Sequence, residues 1–316
     1  MPTVAMQHRP RAAAPHLARA LGALLLLAAG VRPCRAQAAP PGVAAHATAH
    51  ATARAAAARR DWAAAAAAME QAVQAAPTNA EYHYWLGKAY AEQARAGSLW
   101  ARARLARRVL DAWERALALD STYDAAYQEL IPTYAQLPGV LGGSPSRAEA
   151  LLERWQRMHP YTAGLARVRF DVARNLPQQT VADAEALVRA FPDSARPLAE
   201  LATAYLRVRR LADTEAALTR GLARDPDHPY LLLAAGRAAA ETGEELARGE
   251  SALRALLADT SPTDSSAGAL RTGAHLRLGE ILERRGDRAG ARTQFQAALA
   301  LAPRTRAARA GLERVR

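Results

Sequence analysis

His46 and His50, in the run His-Ala-Thr-Ala-His, would project from the same side of a helix at a spacing that can hold a metal ion. No acid or third imidazole lies near them in sequence, and the run sits in a stretch that repeats HATA in tandem. A low-complexity segment is therefore the plainer reading. The glycine-rich loop Pro138 to Ser144 offers backbone N–H groups that a bound anion can use, but no Gly-Lys-Ser or Gly-Lys-Thr follows it. Its glycines are expected to allow left-handed turns while Ser144 or Ser146 caps the next helix. There is no Gly-x-Ser-x-Gly elbow and no His-Glu-x-x-His helix. Glu244 and Glu245 lie among arginines, where solvated ion pairing is the ordinary role. His159 precedes a proline, and His275 occupies the aromatic position of a repeat; both read as structural. The sequence thus assigns no catalytic, cofactor-binding or metal-binding residue, and a non-enzymatic protein is expected.

Leu99 to Val109 stands out, because an apolar stripe there carries Arg102, Arg104, Arg107 and Arg108 on a helix that overshoots its repeat by about two to three turns. Leu99, Trp100 and Leu105 are expected to pack on the inserted loop of the next repeat. A basic amphipathic lip that touches a partner or an anionic envelope surface is the functional alternative.

Composition is read after setting aside the N-terminus. Arg9, Arg11 and Arg19 precede the apolar run from Leu21 to Val31, followed by Ala36-Gln37-Ala38. This pattern predicts a secretory signal peptide over residues 1–38, cleaved near Ala38, and a product exported to the periplasm or beyond. The run is about half the length that spans a bilayer, so a retained anchor is not expected. Cys34, the only cysteine, lacks the small uncharged residues that precede a lipidated one. Cleavage leaves no thiol for a disulfide or a thiolate zinc site. It also removes five arginines, lowering the net charge from +12 to +7. Lys88 is the only lysine, and with the alanine excess this looks like a GC-rich genome's habit rather than a nucleic-acid footprint. No nucleic-acid partner is expected.

The elements that must carry any function are helices. Pro77, Pro160, Pro192, Pro226 and Pro303 each follow an apolar helical pattern, and two successive gaps are 32 and 34 residues. Wider gaps predict insertions near 96–108, 138–144 and 259–268. Helix pairs are then expected to begin near His46, Ala80, Asp124, Tyr161, Ala195, Pro229 and Thr272. Residues 39–79 form an alanine-rich linker with a degenerate first repeat that has little volume to pack. The array runs over 80–303, and 304–316 form a polar capping helix with Leu312 as its main apolar contact.

The last complete repeat, His275-x2-Leu278-Gly279-x2-Leu282 then Ala291-x3-Phe295-x2-Ala298 and Pro303, resembles the tetratricopeptide signature. The repeats containing Leu86-Gly87-x2-Tyr90, Tyr127 and Tyr134, and Leu201-Ala202-x2-Tyr205 are similar. The runs YWLGKAYAEQA, LARRVLDAWERALALD and PGVLGGS are similar to exported bacterial tetratricopeptide proteins, a group without a firm biochemical activity. The resemblance implies an all-α, right-handed superhelical solenoid of antiparallel helix pairs, whose first helices line a groove for a peptide or a partner's helix. On it, Tyr84, Lys88, Gln128, Arg169, Thr203, Arg237 and Glu280 would face the groove. Asn79 and Asn175 fall off that face, so the Lys and Asn clamp for a C-terminal carboxylate is not expected. The implied function is a protein-binding scaffold of the cell envelope; the alternative is a basic surface for an anionic envelope polymer or lipid headgroup. Partner identity and oligomeric state are not encoded.

Overall fold

The computed structural model describes residues 41–259 and 267–316; the expected leader lies outside the described residues. Seven antiparallel helix pairs and a closing helix follow one another, with no strand among the described residues. The pairs are α1 (Pro41–Ala58) with α2 (Trp62–Ala75), α3 (Ala80–Ala96) with α4 (Leu99–Leu119), and α5 (Asp124–Gln136) with α6 (Pro145–Met158). Then come α7 (Pro160–Ala173) with α8 (Pro177–Ala190), α9 (Ala195–Arg207) with α10 (Leu211–Arg224), and α11 (Pro229–Thr242) with α12 (Leu246–Ala258). The seventh pair is α13 (Ala267–Arg284) with α14 (Arg288–Leu301), and α15 (Arg306–Arg314) closes the array. None of these helices is long and apolar enough to cross a membrane.

Local chemistry fixes the helix starts. Asp61, Asn79, Ser98, Ser144 and Asp287 each accept a hydrogen bond from the backbone N–H three residues on, capping α2, α3, α4, α6 and α14. Pro145, Pro160, Pro177 and Pro229 occupy first positions, where a missing N–H costs nothing.

Packing within a pair depends on a small residue on the first helix. A Cβ added to Gly87 would sit 2.5 Å from the Trp113 ring, one on Gly236 would meet Leu253 at 2.3 Å, and one on Gly279 would meet Phe295 at 2.6 Å. In each case the second helix inserts a large side chain into the space that glycine leaves. Trp113, Leu253 and Phe295 are all buried. Across pairs, first helices pack on one another at α5 with α7, α7 with α9, α9 with α11 and α11 with α13. No comparable contact joins two second helices, so the array bends with its first helices on the inner side.

Between pairs, one arrangement occurs three times. A tyrosine near the end of a first helix donates to a glutamate of the preceding second helix, and an arginine of the following second helix, or of the turn leading into it, lies against the ring. The sets are Tyr90, Glu70 and Arg108; Tyr134, Glu114 and Arg147; and Tyr205, Glu185 and Arg210. Burial, then the glutamate, pushes the Tyr90 and Tyr205 hydroxyls up, so they remain donors at neutral pH. In α7 the same position is Asp171. Its carboxyl is 2 % exposed, with one oxygen unpartnered among the described residues. Burial, then the neighbouring Asp183, pushes it up to about 7.

Several expectations change. The alanine-rich start is not a linker over residues 41–75: α1 and α2 form a pair, with Ala56, Ala65, Met69 and Ala72 buried. Alanine's helix propensity suffices once α3 covers the pair. The insertion near 96–108 lengthens both members of the second pair, to 17 and 21 residues, with the break at Gly97. Leu105 is buried, but Leu99 and Trp100 are 78 % and 86 % exposed and pack on no loop. The loop 138–144 instead packs on α4, and Gly142 sits against Leu110 with φ at 96°. Of the third insertion, residues 260–266 lie outside the described ones, and α13 starts before Thr272. On α15 the buried contacts are Ala308, Gly311 and Val315, with Leu312 only partly covered. Arg314 also pairs with Glu283 of α13 through two bonds of 2.7 and 2.8 Å.

Two outcomes follow. Gly279→Ala should lower stability by about 1 kcal/mol net, since crowding of Phe295 outweighs the gain in helix propensity. Gly268→Ala in the same helix, with nothing within 4 Å of the added carbon, should leave Tm unchanged or raise it. Thermal denaturation followed by circular dichroism distinguishes the two. For Asp171, the folded carboxyl titrates near 7 and its ordinary value is 3.8, so its contribution is fully present below 3.8 and lost as pH rises through 7. Asp171→Asn should therefore flatten the fall in Tm between about pH 4 and about pH 7.

Candidate binding face of the first helices

The inner face is built from one recurring position: Arg54, Lys88, Pro132, Arg169, Thr203, Arg237 and Glu280 hold equivalent places on successive first helices. The position facing it on the next first helix, three residues earlier in register, is Trp85, Glu129, Ala166, Glu200, Ala234 and Arg277. Where an acid stands there, the face carries an ion pair between helices. Lys88 of α3 pairs with Glu129 of α5, and Arg169 of α7 lies 3.7 Å from Glu200 of α9. Arg196 reaches the same Glu200 at 2.6 Å while lying over the Tyr230 ring. Farther on, Glu241 holds Arg237 at 2.7 Å and Arg277 at 3.3 Å, and Arg277 holds Glu280 at 2.9 Å.

The residues expected on the groove thus have unequal roles. Tyr84 is half-buried, its ring edge-on to Trp85 and tilted against Tyr123. Burial, then the charge of Glu129, pushes its hydroxyl up, so it stays neutral and packs. Thr203 donates its hydroxyl to Ala199 of its own helix. Lys88, Arg237 and Glu280 are engaged in the ion pairs above. Gln128 and Arg169 are exposed and share a cleft of about 480 Å³ between α5 and α7. Its walls include Ala135, Leu165, Ala166 and Phe170, with Pro132 and Gln136 beside Gln128. Pro132 lies inside α5 and has no N–H, so the Gln128 carbonyl lacks its intrahelical donor. This cleft joins an apolar lining and amide groups with the Glu129 carboxylate and with Arg169, which lies 3.7 Å from Glu200.

Sequence reasoning missed the acids Glu129, Glu200 and Glu241, because each lies on a neighbouring helix or turn of the face rather than beside its partner. It also missed Pro132, which reads as a mere helix defect until the register is aligned. The histidines behave as packing groups. His46 Nδ1 is 2.7 Å from the Tyr82 hydroxyl, and His50 lies against the same ring. His159 lies 3.5 Å from Asp124, and His275 hydrogen-bonds Gln294 at 2.8 Å. Asn79 caps α3. Among the described residues no group of three or more His, Cys, Asp or Glu side chains is placed to hold a metal. Asp171, the strongly shifted acid, does not line the α5/α7 cleft.

Solved structures match the array along most of its length. A tetratricopeptide repeat protein from Parabacteroides merdae superposes with a TM-score of 0.58 at 13 % identity, over 85 % of this chain and 98 % of its own. The fold is that of a tetratricopeptide repeat solenoid. Yeast Tom70 superposes with a TM-score of 0.57 at 12 % identity, over 80 % of this chain and 51 % of its own. A human IFIT1 dimer bound to m7Gppp-AAAA gives 0.54 at 11 %, over 81 % and 58 %. The chain therefore spans little more than half the length of the last two. No protein-family model and no curated protein sequence matches it.

Glu200 is the hinge of the face's electrostatics, since Arg196 is largely buried and two of its guanidinium nitrogens have no other partner among the described residues. Glu200→Ala should cost about 2 kcal/mol, less than a fully buried pair because Arg169 remains solvated. Glu200→Gln should recover part of that loss, as read by chemical denaturation.

Proposed function

We propose that this tetratricopeptide solenoid is a non-enzymatic scaffold that recognises a protein segment on its inner face, centred on the α5/α7 cleft, and that it works in a bacterial envelope after export. The observation that carries the reading is the cleft itself. Its apolar lining suits a side chain, and the exposed Gln128 amide, with Gln136 beside it, suits the N–H and C=O groups of a backbone. These are the parts that an extended peptide presents together. The export signal expected at residues 1–38 supports the envelope setting.

A second reading is favoured by one observation. The start of α4 exposes Leu99 and Trp100 beside Arg104 and Arg107. A cleft of about 600 Å³ next to it is lined by Arg95 and Arg102, and by Arg304 from the far end of the array. Such a surface fits an anionic polymer or lipid headgroup, and the IFIT1 structure holds a capped RNA in this fold. Affinity of that kind falls steeply with salt.

The test is affinity capture from the source envelope with wild-type chain, Gln128→Ala/Arg169→Glu and, as an outer-face control, Arg189→Glu. Groove recognition requires one protein kept through high salt by the wild type and the control and lost by the double variant. Retention of only salt-labile anionic material, lost with Trp100→Ala, would replace it with the second reading.

A further inference from the structure

The inner face changes character at its first step. Lys88 and Arg169 each face a glutamate on the next first helix, but Arg54 in the same register faces Trp85. Arg54 is exposed and has no ion-pair partner among the described residues. Behind this break lies a half-open cavity of about 150 Å³ between α1, α2 and α3. The buried Ala53, Ala65, Met69 and Ala89 form its inner part, with Trp62 and the partly exposed Trp85 toward the outside. Arg54, Lys88 and Glu92, which pairs with Arg95, border it, and so does His50, whose Nε2 is buried without a hydrogen-bond partner among the described residues.

The cause lies in the sequence. The alanine-rich first pair has helix-forming side chains with too little volume to fill the space beneath two tryptophans. An apolar hollow of this size has room for a benzene-sized ring, whose contacts would replace those that the lining atoms lack on one side. Ordinary packing would have closed it with one larger side chain. Here the void lies on the inner face, beside a cation that has lost its acid.

We propose that this cavity is a specificity pocket that takes one aromatic side chain of a partner segment, with an adjacent acidic group of that segment pairing with Arg54. The proposal rests on the inner-face reading above and adds the chemistry of the ligand. A phenol ring would also bring His50 Nε2 the donor it lacks.

Three probes isolate the parts: p-cresol for the ring, 4-hydroxyphenylacetate for ring plus acid, and cyclohexane for an apolar filler. Calorimetric titration of the full chain should show saturable binding of p-cresol, about threefold tighter binding of the acid analogue at low salt, and weaker binding of cyclohexane. Arg54→Ala should remove the threefold gain and leave p-cresol binding unchanged. Ala89→Met, which fills the void, should abolish binding of all three while circular dichroism stays native; should that variant unfold, Ala53→Val serves instead. Absence of saturable p-cresol binding, or binding that survives the filled cavity, overturns the pocket, and cyclohexane binding equal to p-cresol overturns its aromatic preference. The envelope capture separates this failure from that of the inner-face reading. A partner held by Ala89→Met but lost by Gln128→Ala/Arg169→Glu leaves the face intact without the pocket.

Discussion

The close approach of helices in the second, sixth and seventh pairs depends on a glycine-sized gap in the first helix into which the second helix drives one large side chain. Gly87 receives Trp113, Gly236 receives Leu253 and Gly279 receives Phe295. Glycine is unfavourable inside a helix by roughly 1 kcal/mol against alanine, and burial of a large side chain offsets that several times over. The close approach sets the distance between helices, which in turn sets how one pair meets the next. At the C-terminus the same device ends the solenoid. Phe295 lies between Gly279 on α13 and Gly311 on α15, so the capping helix is seated by the ring that joins the last pair.

The links between pairs are polar and therefore weaker one by one. In the tyrosine, glutamate and arginine sets, the ring contributes buried area and the hydroxyl takes its acceptor from the preceding pair. The arginine closes the set from the second helix of the tyrosine's own pair, or from the turn before it, so a single tyrosine ties its pair to the preceding one. Such coupling between nearest neighbours suits an architecture whose stability is close to a sum of pairs and interfaces. Asp171 shows what happens without the tyrosine. A shorter acid cannot reach across the interface, and its burial beside Asp183 leaves it raised and partly unpartnered. The packing of α7 on α8 thus carries a contribution that weakens as pH rises toward about 7.

Much of this architecture was legible because it is periodic. Pairs starting at Ala80, Asp124, Ala195 and Pro229 coincide with helix starts, since the repeat spacing, with a cap at Asn79 and a proline at Pro229, marks those positions. The first and last pairs begin earlier than the repeat frame, at Pro41 and Ala267. Trp100 was misread. A large apolar residue on an amphipathic stripe is expected inside, yet the lengthened helix carries it past the last neighbour that could cover it. The candidate face was legible only by half. Its recurring cations follow from spacing alone, whereas their acids sit 41 residues away for Lys88 and 31 for Arg169, a variation that the insertions create.

That ladder also decides where recognition can arise on the inner face. A cation already held by a neighbouring carboxylate gains little from a ligand's acid, because the ligand must displace a pair that is preorganised. Binding free energy is therefore concentrated where the ladder is interrupted. At α9 to α11 the facing residues are Thr203 and Ala234, small and internally satisfied, and offer little. At α5 to α7, Pro132 and Ala166 open a cleft. At α1 to α3, Arg54 and Trp85 leave a cation and a void. The two productive interruptions lie on the same face, separated by the Lys88 to Glu129 pair, so an extended chain that reaches both must pass over a neutralised step. Selectivity then depends less on the net positive charge of the protein than on the spacing between two gaps in its register.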